Sequence, residues 1–306
     1  MKIILQKNAE LNKSDLDNLK DLVFSIEYYN NEKVAGDIFV GFPGTTFKEL
    51  EDIKGLKFIQ SLMAGYDHVD LEKIKSMGII FANATGVSGI SIAEYVLLKI
   101  LDYYKDAQRF RDNQSKSFWE KRSISQKNIK EVSNQKALIL GTGDIGSEIA
   151  KRLKAFEVEV IGINRSGGHV LHFDQTYAID NMHEVLSEAD IVVGALPLTT
   201  ATKGLYNKAF FSQMKTEAIF INIGRGSQLV VEDLLKVLET KLSHVYLDVV
   251  PNEPLSSDSL LWKHPKVSLT PHISSSSNLL SKRLKDLVLD NIYRFEKDEE
   301  VRNKVV

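Results

Sequence analysis

Short apolar runs alternate along the chain with stretches whose apolar residues recur every three or four positions, the pattern of parallel strands joined by helices. In the first part, residues 2–5, 37–40, 58–62 and 79–82 read as strands, and residues 14–24, 49–55 and 71–77 as the helices between them. Ser14 stands as an N-cap with Asp17 three residues on, and Leu16, Leu19, Leu22 and Val23 keep helical spacing. Residues 91–110 predict a long helix opened by Ser91-Ile92-Ala93-Glu94, with apolar side chains on every face and hence buried between layers. The polar segment 111–136, which carries Phe118-Trp119, reads as a connection into a second unit. There the strand candidates are 137–140, 158–163, 191–195, 218–223, 244–249 and 267–270, near-continuous apolar runs of the kind covered on both faces. A last helix is expected over 279–295.

One junction in this pattern carries chemistry. Strand 137–140 runs straight into Gly141-Thr142-Gly143-Asp144-Ile145-Gly146, and a helical pattern follows at once over 147–156. Gly141 permits the tight turn, Gly143 lets the backbone approach a pyrophosphate, and Gly146 lets the helix pack on the sheet. The helix N-terminus adds unpaired N–H donors and partial positive charge. This setting marks a dinucleotide site. An NAD site wants a carboxylate at the end of the second strand, for the ribose 2′-hydroxyl. Strand 158–163 ends instead in Asn164-Arg165-Ser166-Gly167. A guanidinium and a hydroxyl there suit a 2′-phosphate, so NADP(H) is favoured and NAD(H) stays open.

Three further segments fall at the carboxyl ends of later strands, where open α/β sheets bind ligands. They are Asn222-Ile223-Gly224-Arg225-Gly226, Asp248-Val249-Val250-Pro251-Asn252-Glu253-Pro254-Leu255 and Thr270-Pro271-His272-Ile273-Ser274. Singly, Arg225, Glu253 and His272 read as turn, loop and cap residues. Together they supply a cation, a carboxylate and an imidazole beside a nicotinamide site.

Composition narrows the class. With 39 basic against 41 acidic residues, the chain lacks the cationic excess of a nucleic-acid surface. It has no cysteine, which removes disulfides, thiolate metal sites and cysteine nucleophiles, and fits a reducing, cytoplasmic setting. The most apolar stretch, 90–101, is broken by Glu94 and Lys99, and the run at 3–5 is too short for a signal-peptide core. At 306 residues, an intracellular enzyme of two domains or one large one, without a membrane partner, is expected.

The motifs together resemble the D-isomer-specific 2-hydroxyacid dehydrogenases. The resemblance is carried by the glycine fingerprint, by Leu196-Pro197-Leu198-Thr199, and by the Arg225, Glu253 and His272 segments in the family's order and spacing. It runs from Ser61-Leu62-Met63-Ala64-Gly65-Tyr66-Asp67-His68 to Asn303 and Val305, and Asn164-Arg165-Ser166 is most similar to NADP-using glyoxylate/hydroxypyruvate reductases. It implies an α/β fold of two Rossmann-like or flavodoxin-like domains with parallel sheets. A dinucleotide-binding domain, 96–280, would be inserted into a substrate domain made of 1–95 and 281–306, with domain closure about the helices that begin near Ser91 and Leu279.

The resemblance also implies roles. His272 would protonate the carbonyl oxygen in reduction and act as base in reverse. Glu253 would orient its ring and favour the imidazolium. Arg225 would bind the substrate carboxylate and polarise the ketone, with the amides of Ala64 and Gly65 holding the same carboxylate. Cofactor contacts would fall on Gly141, Thr142, Gly143, Asp144, Ile145, Gly146, Asn164, Arg165, Ser166, Leu196, Pro197, Thr202, Ile223, Gly224, Asp248 and Ser274. The implied activity is NAD(P)H-dependent reduction of small 2-oxo acids, such as glyoxylate or hydroxypyruvate, to D-2-hydroxy acids by a homodimer. The rival from another class is a dinucleotide-sensing binding protein without catalysis, against which the intact Arg225, Glu253 and His272 set argues. Glu157 and Gln135 stand where the family usually has glycine, which bears only on local backbone shape. Substrate side-chain selectivity is expected from loops such as 41–43. His169 and His172 read as a solvated loop and not a metal pair, His68 as structural, Tyr103 and Tyr104 as core or interface, and Lys282, Arg283 and Lys285 as a wet helix face.

Overall fold

The computed structural model describes residues 1–7, 15, 19, 22–42 and 49–306. The chain divides into two compact units, Met1–Val87 with Ser277–Val306, and Ser88–Ser276.

The smaller unit is built on β1 (Lys2–Gln6), β2 (Ser25–Tyr29), β3 (Val34–Ala35), β4 (Ile38–Gly41), β5 (Ile53–Lys54), β6 (Phe58–Ser61) and β7 (Ile80–Ala82). Its main sheet is parallel throughout, in the order β2-β1-β4-β6-β7. This is the flavodoxin-like order of a doubly wound sheet. Successive side chains of a strand face opposite ways, so one apolar run supplies two cores. Ile3, Leu5, Ile38, Val40 and Phe58 pack with Val288 and Ile292 of the helix Leu280–Glu296, while Ile4, Phe39, Ile59 and Phe81 pack with Ile74 of the helix Leu71–Ser76. The return of the chain at 277 thus covers one face of this sheet.

Two expectations change here. The helix expected over 14–24 lies largely outside the described residues, and 22–24 are not helical but lead into β2. The helix expected over 49–55 ends at Asp52, because Ile53–Lys54 pair with Val34–Ala35. Strand β2 escaped sequence reading: it is a sheet edge whose polar and apolar residues mix.

The larger unit carries β8 (Lys136–Leu140), β9 (Glu159–Asn164), β10 (Gln175–Ala178), β11 (Ile191–Gly194), β12 (Ile219–Asn222), β13 (His244–Leu247) and β14 (Val267–Leu269). All are parallel, in the order β10-β9-β8-β11-β12-β13-β14. Apolar clusters cover both faces, as near-continuous apolar strands require. On one face, Ile92, Val96, Ile100 and Tyr104 of the helix Gly89–Tyr104 recur one turn apart and cluster with Ile149 and Leu153 of the helix Asp144–Lys154. That helix starts at Gly89, before the expected capping box, and stops near Lys105 because Asp106 turns left-handed, with φ 53°. It buries one face and exposes Leu98, so it is amphipathic and not sheathed all round. The turn from Asp144–Lys154 into β9 forms without glycine, Glu157 taking φ 60°. Strand β10, a polar edge, was not foreseen. No helix among the described residues is long and apolar enough to cross a membrane.

Candidate active site

In the larger unit the sheet order reverses between β8 and β11, and the loops leaving their carboxyl ends diverge. The fingerprint lies there. Gly141 turns the chain with φ 111°, and a Cβ on it would stand 2.7 Å from the Ala195 carbonyl oxygen. A Cβ on Gly146 would stand 1.9 Å from the Gly141 oxygen, so only glycine lets this helix sit so close. Around Gly143 nothing lies within 4 Å of the same position, and the residue is exposed. That face of the turn is open for a phosphate at the helix N-terminus, where Asp144 begins the first turn and Ile145 packs on the core. These residues fit a dinucleotide.

At the end of β9, Asn164 Oδ1 accepts the N–H groups of Ser166 and Gly167 at 3.1 and 2.6 Å. Its amide donates to the Gly168 carbonyl at 2.9 Å and to Thr142 Oγ1 at 3.3 Å. Asn164 therefore shapes the loop and ties it to the fingerprint, leaving Arg165 and Ser166 exposed at the tip.

Two more loops are fastened together by one buried side chain. Gln228 accepts the Arg225 N–H at 3.0 Å and donates to the carbonyls of Leu196 and Pro197 at 3.3 and 3.2 Å. Thr202, also buried, closes the loop after β11 by donating to the Pro197 carbonyl at 2.7 Å. Ile223 is buried, the Gly224 N–H donates to Asn222 Oδ1 at 3.2 Å, and half-buried Arg225 donates from Nη1 to the Gly224 carbonyl at 2.9 Å.

His272 sits in a left-handed turn, φ 54°, that Asp248 holds. The Asp248 carbonyl accepts the His272 N–H at 2.9 Å, and its carboxylate accepts the N–H groups of Ile273 and Ser274 at 2.9 and 3.0 Å. Thr270 Oγ1 also donates to this carboxylate, at 2.6 Å, so its single proton is committed and the Tyr95 hydroxyl must be the donor in their 2.6 Å contact. Burial pushes the Tyr95 phenol up to about 12, which keeps that donor in place. Ser91 Oγ lies within hydrogen-bond distance of the carbonyls of Ser274 and Ser276, at 3.1 and 2.9 Å.

His272 Nδ1 meets Glu253 Oε2 at 2.8 Å, while Glu253 Oε1 accepts the Val250 N–H at 3.1 Å. The two side chains are 50% and 37% exposed, and nothing among the described residues takes Nε2. A Cβ on Gly226 would stand 1.8 Å from the Val250 carbonyl oxygen, so the Arg225–Gly226 loop presses directly on the loop that carries Glu253. Glu253 and His272 also line a cavity of 330 Å³ with Val250, Leu255 and Trp262.

Ala64 and Gly65 lie in the smaller unit, half-buried in the loop after β6. In the loop expected over 41–43, Pro43 lies outside the described residues. Lys285 pairs with Asp15 at 3.1 Å. Among the described residues no group of three His, Asp or Glu is placed to hold a metal ion. Sequence reasoning missed Gln228, Tyr95, Ser91 and Thr270, and the anchoring work of Asp248. Each acts across the fold, and a polar residue at the edge of an apolar run, as Gln228 before Leu229-Val230-Val231, or within one, as Ser91 and Tyr95 in 90–101, is the signal that could have shown them.

Residues 97–274 match the NAD binding domain of the D-isomer specific 2-hydroxyacid dehydrogenases. An uncharacterized protein of Corynebacterium melassecola, from the proB 3′ region, is 32% identical over 277 residues, 90% of each chain. The glyoxylate reductase of Pyrococcus horikoshii is 29% identical over 254 residues, 81% of this chain and 76% of that one. A solved structure of an NADPH-dependent glyoxylate/hydroxypyruvate reductase from Sinorhizobium meliloti, in complex with NADP and sulfate, is similar with a TM-score of 0.80 at 26% identity, over 99% of this chain and 98% of that one. The chain belongs to the D-isomer specific 2-hydroxyacid dehydrogenase family. It is an NAD(P)-dependent oxidoreductase.

Proposed function

We propose that the chain reduces small 2-oxo acids of the glyoxylate and hydroxypyruvate kind to D-2-hydroxy acids, with NADPH preferred to NADH. The observation that carries this reading is the His272–Glu253 contact of 2.8 Å, beside the Arg225 loop at the carboxyl edge of the fingerprint sheet. A reduced nicotinamide bound at the fingerprint supplies the hydride. His272, held through Nδ1, keeps Nε2 for the carbonyl oxygen and delivers the proton there; in the reverse direction it takes the hydroxyl proton. Glu253 fixes the ring's orientation through that contact. Arg225 offers a planar fork to the substrate carboxylate and draws density from the adjoining ketone. In the smaller unit, the N–H groups of Ala64 and Gly65 bind that carboxylate. The larger unit is then the dinucleotide domain and the smaller one the substrate domain.

The coenzyme preference is supported by Arg165 and Ser166 at the tip of a loop without a carboxylate, and by the NADP in the Sinorhizobium meliloti reductase. The test is oxidation of NADPH and NADH with a panel of 2-oxo acids. Arg165→Ala is expected to narrow the NADPH preference by roughly 10–100-fold, the worth of one charge-assisted contact to phosphate. A wild type that prefers NADH overturns the coenzyme assignment, and one that reduces no 2-oxo acid overturns the reaction. A homodimer in the cytoplasm completes the proposal. Exposed Phe118, Trp119 and Ile124 offer a second copy apolar contact, which light scattering checks, and a chain without cysteine suits a reducing compartment.

A further inference from the structure

Asn83, buried just after β7, donates from its side-chain amide to the Ala64 carbonyl at 2.8 Å, while its Oδ1 accepts the Thr85 N–H at 3.2 Å. The orientation of this amide is fixed, because the Thr85 N–H can only donate and the Ala64 carbonyl can only accept. The peptide joining Ala64 to Gly65 is trans, as is every described peptide except Glu253–Pro254. In a planar trans peptide the C=O and N–H point opposite ways. The Ala64 carbonyl, drawn onto a buried side chain, therefore turns the Gly65 N–H away from it. Neither that N–H nor the one of Ala64 has a partner among the described residues, and both residues are partly exposed.

We propose that Asn83 is a positioning residue, setting the Ala64–Gly65 peptide plane so that the Gly65 N–H faces the substrate carboxylate. This rests on the reading that these amides bind that carboxylate. The holder is itself held. The Ala84 N–H donates to the Met63 carbonyl at 3.0 Å, so the loop is pinned to residues 83–84 twice. The Asn83 carbonyl accepts Gln60 Nε2 at 3.3 Å, and Gln60 Oε1 accepts Asn291 Nδ2 at 2.6 Å. Gln60 and Asn291 have no exposed surface, and Asn291 Oδ1 accepts the Arg302 N–H at 2.7 Å. A buried amide network whose partners are satisfied favours a single arrangement. This one ends on a half-exposed peptide with an unpaired N–H, the donor an anion needs.

The test is Asn83→Asp, which keeps the shape and the contact to Thr85 but sets a carboxylate oxygen against the Ala64 carbonyl. Asn83→Ser, too short to reach it, serves as the second variant and decides the matter if the first does not fold. Wild type and variants are compared by steady-state kinetics with glyoxylate and NADPH, and by inhibition with oxalate. The expected result is a rise of about tenfold or more in glyoxylate KM and oxalate Ki, the loss of one hydrogen bond to a charged group, with kcat and NADPH KM within about threefold. Unchanged KM and Ki overturn the proposal, as does a fall in kcat alone, which marks a loss of folded enzyme. A wild type inactive on every 2-oxo acid overturns the functional reading and this inference with it; an active wild type with unaffected variants overturns only the inference.

Discussion

Replacing Glu253 by glutamine tests the imidazole–carboxylate couple with almost no change in shape. The carboxylate accepts the Val250 N–H through Oε1 at 3.1 Å and meets His272 Nδ1 through Oε2 at 2.8 Å. An amide cannot serve both. With its oxygen kept on the Val250 N–H, its NH2 faces Nδ1 and obliges that nitrogen to accept, so the ring cannot hold the second proton that reduction needs. Turned over, it sets donor against donor at Val250, which costs about 1 kcal/mol at this exposed contact. A charge-assisted contact is worth about 1.5–3 kcal/mol when shielded. At 50% and 37% exposure, solvent reduces that to about 1–2 kcal/mol. In rate terms this is roughly a 5–30-fold loss of kcat. The assay is reduction of a 2-oxo acid at saturating NADPH and neutral pH, with NADPH affinity measured separately by fluorescence and expected to stay at the wild-type value. A kcat within about twofold of wild type refutes the argument that the Glu253 carboxylate holds the proton on Nδ1.

Other outcomes follow from the same geometry. Gly226→Ala would put a methyl 1.8 Å from the Val250 carbonyl oxygen and 2.0 Å from its carbon, both backbone atoms. It is expected to spread the loops carrying Arg225 and Glu253, lower stability by about 1–3 kcal/mol and cut kcat/KM by more than about tenfold; a wild-type melt and wild-type kinetics would contradict it. His244, half-buried between Tyr103 and Tyr246, is held down at about 4 against an ordinary 6.5, by desolvation first and then by the charge of nearby His264. The folded chain takes up this proton later than the unfolded one, so stability is whole above about 6.5, falls by about 3 kcal/mol as pH drops toward 4, and then levels off. His244→Asn is expected to flatten that part of the stability curve, and equal acid sensitivity of the two proteins in thermal melts would show the reasoning to be wrong.

What the sequence disclosed and what it hid divide by range. The fingerprint is legible because strand, turn and helix are contiguous, and each glycine from 141 to 146 answers a local demand. The strands of the larger unit are legible because burial on both faces leaves no polar alternation to confuse. Strands β2 and β10 were hidden because edge strands need no such run. Glu157 shows the limit of a residue rule: its left-handed conformation costs about 1–2 kcal/mol without glycine, yet the backbone takes it, its N–H donating to the Lys154 carbonyl and its carbonyl accepting the Asn134 N–H, both at 3.1 Å. At the site, the types of Arg225, Glu253 and His272 could be read, and their order suggested a family. That Asp248 moulds the His272 turn, or that Gln228 joins two loops, could not be read. Those bonds connect residues that nothing in the local sequence pairs.

The bonds from Ser91 and Tyr95 to the turn at 270–276 span 175 to 185 residues. Ser91 and Tyr95 stand about one turn apart on a single helix, so the imidazole is mounted on a beam and not on a loose connection. Closing so long a segment is entropically slow, whereas the nucleotide-binding turn is complete within a few consecutive residues. The glycine turn can then form early in folding, while the proton-transfer group is seated only once residues 91–95 and 270–276 have met.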